Sequence, residues 1–480
     1  MKSIALSPLS IGRLHFVGIG GIGMSGIAEI LHNLGQLVQG SDASESANVK
    51  RLKDLGIPIF LGQKAQNIDS ASVLVVSSAI KDDNPEIVAA KKRGIPIVHR
   101  SEMLGQLTRL KWTIAIAGSH GKTTTTSLVS AVLSAADLDP TVVNGGIINS
   151  HGTNAYLGQG DWMVVESDES DGSFLKIPAT IGVVTNIDPE HMEYYGSFDV
   201  LKKSFCTFVQ NIPFYGFAAM CTDNDVVKEL IPTIENRSLV TYGLENPAQI
   251  RGTNIRTVDQ TLSIFDAHIS LPDQEEKVLK DVRLSMLGKH NIQNALAAIA
   301  IAEKMNLPEK LVRKGLETFS GVKRRFTKVG HINGVHVFDD YAHHPTEIVA
   351  VMNTAKEVCK GRVIAVLQPH RYSRLEDLFK EFSTCLKGAD EVIVAPVFAA
   401  GETPIPNINH ETLAQSISEV PKDCIHTIDS PEEIIPLLES RLAPDDYLIF
   451  MGAGNITQWA YAISEELKNS ASDKPLSTAI

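Results

Sequence analysis

Cysteine is scarce in this sequence: five in 480 residues, Cys206, Cys221, Cys359, Cys385 and Cys424. They are widely scattered, with no CxxC pair and no metal-ligand spacing. Neither disulfides nor a cysteine-ligated metal is expected, and a reducing compartment fits. No apolar run reaches about 18 residues, so no membrane-spanning helix is expected. The first residues show no basic region followed by a long apolar segment, so no signal peptide is expected. These readings place the chain in the cytoplasm, without membrane insertion. Basic residues are in deficit: 44 Lys and Arg against 56 Asp and Glu give a net charge of −12. That argues against nucleic acid or an anionic membrane surface as the main partner. Anionic small molecules remain open, because local basic loops can serve them. Heptads, low-complexity tracts and recognisable repeats are absent too.

What is present is apolar mass and two glycine-rich loops. Hydrophobic residues make up 43% of the chain, and the length suits about three domains of ~150 residues. Trp112 to Ala117 reads as a buried strand, and Thr125 to Leu133 as a helix. Between them stands Gly118-Ser119-His120-Gly121-Lys122-Thr123-Thr124. A strand, a glycine turn and a helix opening on Lys-Thr form a phosphate cradle. Lys122 would add a point charge, and Thr123 could reach Mg²⁺. The usual phosphate loop has four residues between its glycines, whereas this one has two. An ordinary glycine turn is therefore the competing reading.

The second loop lies near the start. Leu14 to Val17 leads into Gly18-Ile19-Gly20-Gly21-Ile22-Gly23, then a helix-like Met24 to Asn33 and a strand-like Val38 to Asp42. This matches the GxGxxG fingerprint with an acid about 20 residues on. A diphosphate would lie on the first helix, with Asp42 near a ribose or base. Glycines serving only tight packing are the alternative.

The βα rhythm continues: strands Ile57–Leu61 and Val73–Ser78, helix Pro85–Arg93, strand Ile95–Val98. The expected division is residues 1–110, a Rossmann-like domain, 111–321, a central nucleotide-binding domain, and 322–480, a third α/β domain. In the second, Trp162 to Val165 ends in Glu166-Ser167-Asp168-Glu169-Ser170-Asp171. Ile181 to Thr185 ends in Asn186-Ile187-Asp188-Pro189-Glu190-His191. Open parallel sheets place ligands at such strand ends. Thr123, Glu166 and His191 would suit Mg²⁺, against the plainer readings of a solvated turn and a structural histidine. Alternation over Ile255 to Leu287 suggests inserted antiparallel strands, and Gly288 to Asn294 opens an alanine-rich helix. The third domain is expected to carry strands at 335–338, 363–367, 391–395 and 447–451, a helix over Leu375–Leu386, and a disordered tail from Ser470. Arg325, in Lys323-Arg324-Arg325, could swing onto phosphate charge, or belong to a solvated linker. Asp339 to Pro345 and Gln368 to Arg374 follow strands and are dense in polar groups. Arg371 and Arg374 there would suit a carboxylate.

These motifs resemble the Mur ligases. The short Gly118–Thr124 loop is that family's ATP loop. Collinear matches continue through His15–Gly21, Val76–Ile80, Asp82–Ile87, Asn186–Met192, Pro213–Gly216, Asp339–Glu347, Gln368–Arg374 and Gly452–Ile456. The resemblance implies an α/β fold of three domains: an N-terminal Rossmann-like UDP-binding domain, a central P-loop-type ATPase domain with a mostly parallel sheet, and a C-terminal Rossmann-like domain that closes on both. It implies ATP-dependent ligation of L-alanine to the lactyl carboxylate of UDP-N-acetylmuramate, through an acyl phosphate, in peptidoglycan biosynthesis. Attachment of a recycled tripeptide to the same sugar nucleotide is the nearest alternative. A nicotinamide dehydrogenase using Gly18–Gly23 would leave the second loop idle.

Residue by residue, the resemblance implies ATP phosphates on Gly118 to Thr124, with Lys122 and Thr123 as above, and Mg²⁺ near Thr123, Glu166 and His191. Adenine falls near Asn291 and Asn294, phosphate on Arg325, the ATP ribose near Asp340. Gly18, Gly20, Gly21, Gly23, Asp42, Ser78, Ala79 and Ile80 fall in the UDP-sugar region. His343, Arg371 and Arg374 surround the alanine and the acyl centre. Many related ligases carry a carbamylated lysine past the histidine; here Phe205 and Cys206 stand in that region, in keeping with the alanine-adding branch. A monomer or weak homodimer is expected.

Overall fold

The computed structural model describes residues 11–150, 152–258, 261–272, 274–438 and 441–472. Of the expected disordered tail, Ser470 to Ser472 end the last helix, Ile456–Ser472, and the remainder lies outside the described residues.

Three sheets carry the fold. The first has five parallel strands in the order Ile59–Leu61, Leu37–Asp42, Arg13–Val17, Val73–Val76, Ile97–His99. The strand order reverses between Arg13–Val17 and Val73–Val76. A doubly wound sheet opens its ligand crevice at that reversal, outside the carboxyl ends of the strands. The glycine loop Gly18–Gly23 leaves one of these two strands, and residues 77–80 leave the other.

The second sheet has ten strands. Its parallel centre runs Leu239–Gly243, Phe217–Cys221, Ile181–Val184, Trp112–Ala117, Trp162–Glu166, Thr141–Ile148. The alternating segment forms strands Ile250–Val258, Leu262–Ile269 and Lys277–Leu284, the last two antiparallel; residues 259, 260 and 273 lie outside the described set. The third sheet has six strands, Thr327–Ile332, Val335–Asp340, Tyr447–Met451, Val363–Leu367, Glu391–Val394 and Ile425–Thr427, parallel except for the first pair.

The chain forms two compact units. One reaches to Arg256 and takes in Ser263–Ser285 and Asn291–Val322; the other comprises Thr257–Leu262, Met286–His290 and the chain from Lys323 on. The first unit therefore holds both glycine loops. Helix Ile22–Asn33 explains why: every residue from Met24 to Leu31 is buried, all round the helix. One face packs on its own sheet, with Ile27, Ile30 and Leu31 in the same core as Leu14 and Phe16. The other meets the hairpin that strand Thr141–Ile148 forms with the antiparallel edge strand Thr153–Tyr156 of the second sheet, where a Cβ on Gly26 would lie 2.6 Å from that of Ala155. The Asn154 Nδ2 donates to the Ile22 carbonyl at 2.7 Å.

Several strands are shorter or shifted by two residues against expectation, and two helices differ more. The phosphate-loop helix starts at Lys122, three residues early, because Gly121 takes φ +79° and caps it without a side chain. The expected helix Leu375–Leu386 is two short ones, Tyr372–Asp377 and Phe379–Phe382, broken at Leu378. Leu375, Phe382 and Leu386 are all buried across the break.

Candidate active site

Three neighbouring parallel strands, Trp162–Glu166, Trp112–Ala117 and Ile181–Val184, release their loops at one edge. These loops are Gly118–Thr124, the acidic run after Glu166, and Thr185–His191. The glycine loop is braced from the last. Asn186 Oδ1 accepts the His120 N–H at 2.7 Å, and its carbonyl accepts the Ser119 N–H at 3.0 Å. Gly118, at φ +135°, leaves no room for a side chain: a Cβ would lie 2.0 Å from Thr185 Oγ1.

Lys122 is held at the centre. Its Nζ donates to the carbonyls of Gly118 and Ser119 at 2.6 and 2.9 Å and to Glu169 Oε1 at 3.0 Å. Glu169 Oε2 is nearer, at 2.8 Å, as an ion-pair contact outside hydrogen-bond geometry. Burial opposes the lysine's charge, but Glu169, Asp168 and Glu166 outweigh it and raise its pKa. Burial pushes Glu169 up to about 7 against the pull of Lys122.

Glu166 accepts the Gly145 N–H at 2.8 Å, and a Cβ on Gly146 would lie 2.9 Å from the Thr123 methyl. Strand Thr141–Ile148 thus lines both Thr123 and Glu166. His191 takes a left-handed backbone, φ +59°, and its Nε2 lies 3.6 Å from Glu169. Burial lowers its pKa and keeps it available as a neutral ligand. The ligand atoms of Glu169, Glu190 and His191 all lie within 4.8 Å of one another. Two carboxylates and an imidazole form a donor set that fits a divalent cation such as Mg²⁺; Glu166, expected among the ligands, is not in that group. Glu169 was missed as a site residue. It sits in the acidic run already singled out, but only the fold shows which acid of a run faces inward.

Asn294, expected near adenine, lies under the loop. Its Oδ1 accepts from Thr125 Oγ1 at 3.0 Å and would meet a Cβ on Gly121 at 2.8 Å. Its Nδ2 reaches Asn291 Oδ1 at 3.3 Å, and both asparagines are buried. Phe205 is buried against Phe174, with ring centroids 5.1 Å apart, so that position faces the core.

At the first loop, much of the backbone is already satisfied. The Ser41 carbonyl accepts the N–H groups of Gly18 and Ile19 at 2.8 and 2.9 Å. Asp42 Oδ2 accepts the Gly20 N–H at 2.8 Å, and Gly21 N–H donates to Gly18. Asp42 is therefore a loop brace before it is a ligand contact. Beneath lies a buried network: Glu86 accepts from Ser41 Oγ and Asn67 Nδ2, both at 2.6 Å, and lies 3.3 Å from His15 Nε2. Ser78 and Ala79 are exposed beside the loop, and Ile80 packs near Gly18.

In the other unit, Asp340 ends strand Val335–Asp340 and His343 follows it, while Arg371 and Arg374 follow Val363–Leu367; both strands run parallel to Tyr447–Met451, which lies between them. Asp340 is buried, and its two oxygens accept the N–H groups of Phe326 and Ala342 at 2.6 and 2.7 Å. Burial raises it to about 6, with Arg325 opposing. Arg325 lies 3.7 Å from Glu347, which also pairs with His343 Nδ1 at 3.2 Å. His344 caps the helix Pro345–Val358, its Nδ1 accepting the Thr346 N–H at 3.3 Å. His343 meets His370 edge-on at 5.8 Å, and Arg374 Nη1 lies 3.5 Å from His370. Arg371, at φ +71°, is exposed beside them.

The Mur ligase family, catalytic domain, matches residues 13–112; the Mur ligase middle domain matches 116–302; the Mur ligase glutamate ligase domain matches 324–454. The chain belongs to the Mur ligase family. This Mur ligase is 55% identical over 460 residues to the UDP-N-acetylmuramate–L-alanine ligase of Brucella anthropi, covering 96% of this chain and 98% of the relative. It is 54% identical over 465 residues to the ligase of the same name from Rhodospirillum rubrum, covering 96% of each. A solved UDP-N-acetylmuramate–alanine ligase from Thermotoga maritima superposes with a TM-score of 0.78 at 29% identity, covering 96% of this chain and all of that one. A murein peptide ligase from Psychrobacter arcticus, at 22% identity and TM-score 0.69, shares the fold. Among the described residues no helix is long and apolar enough to cross a membrane.

Proposed function

We propose that this Mur ligase joins L-alanine to the lactyl carboxylate of UDP-N-acetylmuramate, driven by ATP, in peptidoglycan biosynthesis. The observation that carries the reading is the 54–55% identity, over 96% of the chain, to ligases named for that reaction. The site geometry supports it, since one unit holds both a sugar-nucleotide loop and a charged phosphate loop. The proposed division is 1–110 for UDP-N-acetylmuramate, 111–321 for ATP and 322–480 for the amino acid. The protein acts in the cytoplasm, as a monomer or weak homodimer.

A carboxylate is a poor acyl donor, because its leaving group would be an oxide. One lactyl oxygen attacks the ATP γ-phosphorus, the bond to the β–γ bridging oxygen breaks, and ADP leaves. The alanine amine then adds to the acyl carbon, loses a proton, and the tetrahedral intermediate expels phosphate. Two anions must first approach each other, so cationic stabilisation is the main requirement. Lys122 supplies it once the ATP phosphates displace Glu169. Arg325 adds charge on phosphate, and Asp340 contacts the ribose. Thr123, Glu166 and His191 would hold Mg²⁺, with Glu169 and Glu190 beside them; bound, the ion neutralises phosphate charge. His343, Arg371 and Arg374 surround the amino acid, the arginines holding its carboxylate so that the amine is free. Gly18, Gly20, Gly21, Gly23, Asp42, Ser78, Ala79 and Ile80 form the UDP-sugar site, and Asn291 and Asn294 lie on the adenine side.

Phosphate release is the test. It should require ATP, UDP-N-acetylmuramate and L-alanine together. Turnover with the tripeptide L-alanyl-γ-D-glutamyl-meso-diaminopimelate, but not with L-alanine, would overturn the reading.

A further inference from the structure

The residue that joins the two glycine loops electrostatically is Arg100. It opens the helix Arg100–Thr108, directly after the last strand of the first sheet. Its guanidinium lies against the sugar-nucleotide loop: a Cβ on Gly23 would be 3.0 Å from its Nη1 and 3.4 Å from its Cζ. The third glycine of the fingerprint, where helix–strand packing is the usual reason for the residue type, here also lets the arginine lie close against the backbone. The other side of the same group meets the acidic run of the second sheet. Arg100 Nη2 lies 3.7 Å from Asp168 Oδ2, with the arginine side chain 21% exposed and the aspartate 43%. Asp168 in turn acts on Lys122. Next to it, His99 Nε2 lies 4.0 Å from Asp171.

The charge balance gives this placement meaning. Glu169, Asp168 and Glu166 act on Lys122, and Asp168 also faces Arg100, so each cation is paired with a carboxylate. An anionic substrate entering beside Gly23 meets a planar fork whose present partner is distant and partly solvated. A pair this long and partly solvated holds its partner weakly, so exchange for a better anion is cheap. A guanidinium can hold two oxygens of a phosphate or carboxylate at once.

We propose that Arg100 is a substrate-binding residue that gives up Asp168 for an anionic oxygen of the sugar nucleotide. Resting on the function proposed above, it adds a residue that the motifs did not mark.

Calorimetric titration of full-length protein with UDP-N-acetylmuramate tests it, with Mg·ADP titrated in parallel. Arg100→Gln should weaken the sugar nucleotide at least tenfold and leave Mg·ADP within about twofold, and Arg100→Lys should recover part of the loss. Asp168→Asn should bind the sugar nucleotide as tightly as the parent or tighter, because the competing carboxylate is gone. A purely structural strap predicts that Arg100→Gln and Asp168→Asn weaken binding alike, and that result overturns the proposal. So does Arg100→Gln binding like the parent, or losing both ligands together. If the parent protein itself ignores UDP-N-acetylmuramate, the proposed function fails first and this inference with it.

Discussion

At the scale of single residues, the site depends on a few atoms that have no substitute. Lys122 is a cation that the phosphate loop, the acidic run and His191 all address. Lys122→Ala should lower turnover about 10³-fold, the order found when a transition-state charge is removed. UDP-N-acetylmuramate affinity, read by calorimetry, should be unchanged, because its loop is braced separately by Ser41 and Asp42. Ligase turnover that survives the substitution would show that Lys122 is not the stabilising charge. Gly118 allows a paired test. Gly118→Ala would set a Cβ 2.0 Å from Thr185 Oγ1, at φ +135°, and should abolish Mg·ADP binding. Gly35 also has positive φ, +82°, but nothing lies within 4 Å of the added Cβ. Gly35→Ala should cost about 1 kcal/mol of stability and leave nucleotide binding intact. Equal effects at both positions would mean that the loop tolerates more than its packing suggests.

At the scale of elements, two buried devices hold loops in place. The Glu86 network ties helix Pro85–Arg93 to the strands bearing His15 and Ser41. Glu86→Ala leaves buried donors without an acceptor, which costs about 3–5 kcal/mol. Glu86→Gln keeps two acceptor lone pairs and should unfold at a higher urea concentration than Glu86→Ala. Identical midpoints would show the network to be idle. The second device is His290, at the start of helix Lys289–Lys304. Burial first, then Arg325, depresses it from 6.5 to about 4. Its folded pKa lies below the unfolded one, so between those values the unfolded chain binds a proton that the folded chain refuses. Stability attributable to His290 is present above about 6.5 and is lost as pH falls towards 4, by about 3 kcal/mol in all. Urea midpoints at pH 7 and pH 4.5 should therefore fall less in His290→Gln than in the parent. An equal fall in both would contradict the burial of a neutral imidazole.

At the scale of the whole molecule, local rules carried the architecture far. Glycine loops after apolar runs, and acids at strand ends, were legible because strand, turn and helix each leave a local mark. Glu166 and His191 stood out because each follows such a strand. What stayed hidden was set by tertiary contacts. Glu169 could not be told from Asp168 or Asp171, since a turn lacks the fixed period that assigns faces. Arg100 belongs to no motif, and its meaning comes from a partner 68 positions away, at Asp168. The roles of Asp42 and Asp340 as braces for backbone N–H groups were equally invisible, because nothing in sequence says where a carboxylate's lone pairs go. Packing of the first two sheets into one unit followed from a helix buried all round, which reads the same whether it lies in one core or between two.

The most direct test of the whole account is phosphate release measured with ATP and UDP-N-acetylmuramate present and the amine varied. Steady release with L-alanine, and none when any one of the three substrates is left out, is the expected result. Release that ignores UDP-N-acetylmuramate, or that needs the tripeptide in place of L-alanine, would contradict it.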